Sequence, residues 1–81
     1  MTEAEGIVAQ ARAAGIAISD GSYPGQWYLG PHRVSLRETW CGRLKLSGET
    51  GYGGVVEGLG DLLLFEADPR AGYRKIERLF R

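Results

Sequence analysis

Few side chains in this sequence have the types and spacing that catalysis demands. Hydrolysis through a covalent intermediate needs a nucleophile, a base and a group that orients the base. The chain offers a single histidine, His32, and a single cysteine, Cys41. With a carboxylate these two make a conceivable small hydrolase, but nothing in the sequence fixes their separation and no nucleophile elbow surrounds either. Otherwise His32 is a turn residue beside Pro31, and Cys41 is a small, semi-buried hydrophobe. One cysteine excludes an internal disulfide and an intrachain cysteine-based zinc site. A metal site would rest on His32 and carboxylates at no recognisable spacing, so neither metal nor cofactor is expected. Gly51-Tyr52-Gly53-Gly54 is glycine-rich, yet no lysine follows and the next segment reads as a strand. It therefore lacks the helix N-terminus that a phosphate loop needs and reads as a hairpin tip.

Binding is the better prospect. Arg33, Arg37, Arg43 and Lys45 fall on one face of a predicted strand, and Tyr28 and Tyr73 can lie near it as stacking platforms. A basic, aromatic-dotted sheet face is one way to hold single-stranded nucleic acid. The competing account is a solvated outer face whose arginines pair with Glu49, Glu57 or Glu66. Of the aromatic residues, Trp27 and Trp40 read as core. Tyr23 and Tyr28 sit at or beside loops and suit a protein interface, where tyrosine is favoured.

Overall charge weighs against a dedicated polyanion binder: ten basic and ten acidic side chains give a net charge of zero in 81 residues. The charges are nevertheless blocked. Residues 33–48 carry Arg33, Arg37, Arg43 and Lys45 against Glu38, residues 49–68 carry only acids, and residues 69–81 carry mainly bases. The first fifteen residues lack the basic and apolar regions of a secretory leader. The longest apolar run, Leu62-Leu63-Leu64-Phe65, is far too short to span a bilayer. A cytoplasmic protein with no membrane partner is expected, and the unpaired cysteine agrees with a reducing compartment.

The elements that must position these residues follow from periodicity. Thr2-Glu3-Ala4-Glu5 has the form of a capping box. Ile7, Val8, Ala11 and Ala14 recur at helical spacing and Gly15 supplies a left-handed stop, which predicts a helix over 3–14. Strands are expected near 16–19, 26–30, 33–46, 52–57, 61–67 and 73–80. Over 33–46 the apolar positions Val34, Leu36, Trp40, Leu44 and Leu46 keep even parity. A two-residue hairpin at Cys41-Gly42 would break that parity, so one long strand bent at Gly42 is expected, with Trp40 in the core. Leu62 and Leu64 would face one way from strand 61–67, and Leu63 and Phe65 the other. Tyr73, Ile76, Leu79 and Phe80 also fit a helix, but the short loop at Asp68-Pro69 and the basic character of 73–80 favour a strand beside acidic 61–67.

The expected fold is α+β: one domain, 1–81, with an N-terminal helix on one face of an antiparallel sheet of about five strands. Such a chain resembles, in length and in its lack of catalytic parts, the small phage or mobile-element proteins that inhibit host machinery, anti-CRISPR proteins among them; the resemblance covers no motif. The expected function is a non-enzymatic protein that occludes or bridges a macromolecular partner, most simply another protein. Its contact residues would be Tyr23, Tyr28, Arg33, Arg37, Arg43 and Lys45. A single-stranded nucleic-acid binder built on the basic face is the alternative, and the His32/Cys41 hydrolase a second one. A homodimer is also expected, with Leu63, Phe65, Leu79 and Phe80 as its interface.

The capping box has a direct consequence. Thr2→Ala removes the acceptor of a first-turn amide and is expected to lower stability by about 0.5–2 kcal/mol, read as a fall in the chemical-denaturation midpoint; an unchanged midpoint would refute the capping role.

Overall fold

The computed structural model describes residues 1–30, 34–47 and 53–79, apart from the side chains of residues 73 and 77–79. It is an α+β fold. Helix α1 (Glu3–Ala13) precedes five strands, β1 (Ile18–Asp20), β2 (Gln26–Leu29), β3 (Val34–Glu38), β4 (Leu44–Ser47) and β5 (Gly53–Val56), and helices α2 (Leu59–Ala67) and α3 (Pro69–Leu79) complete it. The strands form one antiparallel meander in the order β1-β2-β3-β4-β5.

Helix α1 starts where the sequence places it. The Thr2 hydroxyl accepts the Glu5 backbone N–H at 3.2 Å, and Glu5 Oε1 accepts the Thr2 backbone N–H at 3.0 Å. Ala4, Ile7, Val8 and Ala11 are buried, the stripe that helical spacing requires. On the sheet, Trp27, Leu29, Val34, Leu36, Leu44, Leu46 and Val56 face the same side and join α1 in the core. Arg12 closes the outer edge of β1, donating from Nε to the Ile18 carbonyl at 3.2 Å and pairing with Asp20 at 3.1 Å. A charged side chain over an edge carbonyl blunts further strand pairing.

Three expectations about elements are corrected. Residues 33–46 are not one bent strand: β3 and β4 form a hairpin with Glu38 opposite Leu44. The connection runs over 39–43, an odd number of residues, so even positions stay on the core face across the turn. Gly42 sits in this connection with φ +82°, a left-handed conformation that suits glycine. Trp40, expected in the core, lies in the same connection and is 99 % exposed.

Residues 61–67 are helix, not strand. Leu62 and Phe65 are buried, one helical turn apart, while Leu63 is exposed and Leu64 half-buried. The 69–79 segment is also helix. Asp68 Oδ1 accepts the Ala71 backbone N–H at 3.3 Å and Pro69 takes the first helical position, where a missing N–H costs nothing. Helix α3 packs on both α2 and β5. Phe65, offered as a dimer contact, is 1 % exposed within the single chain. Leu63 remains on the surface, the Leu79 side chain is not described, and Phe80 lies outside the described residues.

Acidic and basic blocks do meet, but helix to helix. Asp61, 2 % exposed in the first turn of α2, accepts the Glu57 backbone N–H at 2.9 Å and pairs with Lys75 Nζ of α3 at 2.6 Å. The hydrogen bond to Asp61 and then its charge raise the Lys75 ammonium above its ordinary value, against a partial desolvation, with Glu57 adding a smaller push in the same direction. A group whose pKa rises on folding stabilises the fold fully below its unfolded pKa and loses that contribution as pH climbs through the folded value. The stability carried by Lys75 should therefore persist up to about pH 10, near the unperturbed lysine value, and fade above it. Denaturation midpoints measured across alkaline pH should fall less steeply in Lys75→Met than in the parent; identical slopes would refute the linkage.

Candidate binding surface

The three helices gather on one face of the sheet, and among the described residues no helix packs on the other. Two cross-strand rows cover this outer face. Ser19, Tyr28, Ser35, Ser47 and Gly53 form one, and Gln26, Arg37, Lys45 and Val55 form the next. Neither row contains a carboxylate. Arg37 stands directly opposite Lys45, and Lys45 directly opposite Val55. Arg37 is exposed, whereas Tyr28, Lys45 and Val55 are half-buried.

At the end of this face the 39–43 hairpin projects, and Thr39 organises it. Its backbone N–H donates to the Arg43 carbonyl at 2.7 Å, its carbonyl accepts from Gly42 at 2.9 Å, and its hydroxyl accepts the Arg43 backbone N–H at 3.1 Å. Helix α1 then anchors the hairpin from the core side. Ala4 donates its N–H to the Gly42 carbonyl at 2.9 Å, Glu3 pairs with Arg43 at 3.6 Å, and the Thr2 hydroxyl bonds the Glu38 carboxylate. The helix cap thus doubles as the fastening of the loop that carries Trp40 and Cys41.

Between hairpin and sheet lies an open groove of about 500 Å³, lined by Arg37, Glu38, Thr39, Trp40, Arg43, Lys45 and Val55. Cys41 also borders it, exposed and unpaired rather than semi-buried. Its sulfur lies 3.2 Å from the Thr39 hydroxyl. That hydrogen bond lowers the thiol's pKa from its usual value, opposed by desolvation and helped to a lesser degree by the Arg43 backbone and charge.

The residues singled out in the sequence separate accordingly. Arg37, Arg43 and Lys45 meet around the groove. Tyr28 lies on the same face in the neighbouring row. Tyr23 is exposed in the β1–β2 connection, which touches this end of the sheet where the Glu38 N–H donates to the Gly25 carbonyl at 2.8 Å. Arg33, His32, Tyr52 and Glu49 lie outside the described residues, and the Tyr73 side chain is not described. Of the bases expected to pair with Glu49, Glu57 or Glu66, Arg43 pairs with Glu3 instead, and Lys45 is not left without an interaction. Sequence reasoning missed Trp40 as a surface residue. The available signal was the cluster Thr39, Cys41 and Gly42 around it, which carries turn-forming residues within a strand-like pattern.

Among the described residues no group of three or more histidine, cysteine, aspartate or glutamate side chains is placed to hold a metal ion, and no helix is long and apolar enough to cross a membrane. No protein-family model, curated protein or solved structure matches the chain.

A tryptophan in water contributes no burial energy, so Trp40→Ala should change stability by less than about 0.5 kcal/mol, the range of ordinary surface substitutions. Trp27, 8 % exposed, gives the contrast. Iodide should quench roughly the Trp40 share of the tryptophan emission and leave the Trp40→Ala variant almost unquenched. Strong destabilisation, or a quenchable signal surviving the substitution, would show that Trp40 is packed.

Proposed function

We propose that the chain is a non-enzymatic binding protein that occludes or bridges a macromolecular partner, and that the outer sheet face and the 39–43 hairpin are its contact surface. The observation that carries this reading is Trp40, 99 % exposed on a hairpin held by Thr39 and by the N-terminus of α1. Tryptophan and arginine dominate the energetic centres of protein interfaces, and here they stand together. A held loop loses little conformational freedom when it binds, so more of its contact energy appears as affinity. The favoured partner is a protein, and blocking its working surface is the mode of action, as in the small phage inhibitors that the chain resembles in size. A homodimer through Leu63 and Phe65 is not part of this reading, because Phe65 is consumed by the chain's own core.

A second reading, single-stranded nucleic acid, is favoured by one observation: Tyr28, Arg37 and Lys45 share the outer face of the sheet. Affinity capture from the source cell's lysate separates the two. A protein partner should be retained by the parent chain, lost with Trp40→Ala and unaffected by nuclease. Retention that disappears with nuclease and falls steeply with salt would give the second reading. Retention indifferent to Trp40→Ala would remove this surface from the function.

A further inference from the structure

We infer that the first turn of α1 and the 39–43 hairpin are one latch, which opens and closes as a unit without unfolding the rest of the chain. A change at Thr2 or Glu3 is therefore felt at the hairpin that carries Trp40.

The same few groups hold both parts. The amides of a helix's first turn have no partner within their own helix. Ala4 is fully buried, so its N–H cannot turn to water, and the Gly42 carbonyl accepts it at 2.9 Å. Gly42 donates its own N–H to the Thr39 carbonyl, also at 2.9 Å, and so helps to close the hairpin. Arg43 has a similar double part: its backbone closes the hairpin on Thr39 while its guanidinium pairs with Glu3. Thr2 caps the Glu5 amide and bonds the Glu38 carboxylate through one hydroxyl, and its Cβ sits beside Gly42, 3.5 Å from where a Cβ there would lie. Lifting the hairpin alone would leave the Ala4 N–H buried and unpaired, which costs more than the bond itself is worth. Fraying the helix start alone would strip the hairpin of its fastening. The latch is closed in the structure, and it comes apart as a whole.

Its joint with the core is weak on both sides. The hairpin seats no apolar side chain: Trp40, Cys41 and Arg43 are exposed, and Thr39 and Gly42 are half-buried. The first turn of α1 puts only the Ala4 methyl into the core, and the larger Ile7 and Val8 follow it. Gly6 stands between them, the poorest helix former short of proline. Segments with few buried apolar contacts and solvent-facing polar bonds open at lower free energy than the core. The boundary therefore falls at Gly6 in the helix and at the paired residues Glu38 and Leu44 in the sheet.

Residue-resolved native-state hydrogen exchange on the full chain, at a series of low denaturant concentrations, tests the latch. The Ala4, Gly42 and Arg43 amides should share one protection factor, about tenfold or more below that of the β3–β4 ladder, and respond little to denaturant. Ile76→Val thins the core; it should speed exchange of the ladder about fivefold and leave the three amides unchanged. Thr2→Ala should speed exchange at Gly42 and Arg43 about fivefold, although both amides bond to Thr39 and neither to Thr2. Gly6→Ala, whose added methyl meets only Met1 Sδ at 4.0 Å, should slow all three about fourfold. Exchange of the three amides at the ladder's rate, rising with it in Ile76→Val, would show that they open only when the whole chain unfolds. Hairpin amides unmoved by both Thr2→Ala and Gly6→Ala would show that the hairpin opens without α1. Either result overturns the latch.

Discussion

The outer face of the sheet can stay polar because the apolar work is done entirely on the other side, and that depends on how closely α3 approaches β5. Gly54 faces Ile76 so tightly that a Cβ would come within 2.7 Å of the Ile76 methyl and of its carbonyl oxygen. Gly72 lies against Phe65 in the same way, with a Cβ 2.7 Å from the Phe65 Cα. These two contacts bring backbone to backbone, seat Phe65 and Ile76 in the core, and let a chain of this size bury a sheet under three helices. The glycines at the start of β5, which invite comparison with a ligand loop, are explained at Gly54 by packing.

From that packing the direction of every strand side chain follows. With Gly54 and Val56 fixed inward, the antiparallel register sets Leu46 and Leu44 inward, then Leu36 and Val34, then Trp27 and Leu29. The alternation was legible in the sequence because a half-buried strand has a period of two residues. The turn within it was not, because a five-residue connection preserves parity as an unbroken strand does. Parity excluded only even-length loops, and Trp40 fell at an even position by its place in the loop, not by burial. Charge told the same story in retrospect: Glu38, the one acid on that face, marks the end of β3 rather than a defect in its middle.

The helical pair was harder to see. Leu62-Leu63-Leu64-Phe65 is apolar at every position, so it carries neither period, and a run of this length is shared by buried strands and short helices. The distinguishing evidence lies at the boundaries. Asp61 three residues after Gly58 reaches back to the Glu57 amide, and Asp68-Pro69 supplies a cap and a first-turn proline. Both are helix-start chemistry, and the second is easily mistaken for a turn because aspartate and proline serve in both. The start of α1 was legible for the opposite reason: Thr2 and Glu5 satisfy each other's amides reciprocally, a pattern that few non-helical conformations use.

The two tryptophans differ only in where the fold puts them. Trp27 and Trp40 are chemically identical, yet one fills the core and the other stands in water. Burying such a ring removes some 150–250 Å² from solvent, a gain the fold forgoes at Trp40. The forgone gain is not the result of a loose loop. The hairpin is tied by Thr39 within itself, by Ala4 and Thr2 to the first turn of α1, and by Glu3 through Arg43. Those bonds hold the ring away from the core while its neighbours Arg37 and Lys45 keep the adjacent sheet face basic. An exposed apolar side chain on a fixed backbone is costly to the isolated chain and favourable to any complex that covers it, because a partner recovers the ring's burial without first having to order the loop.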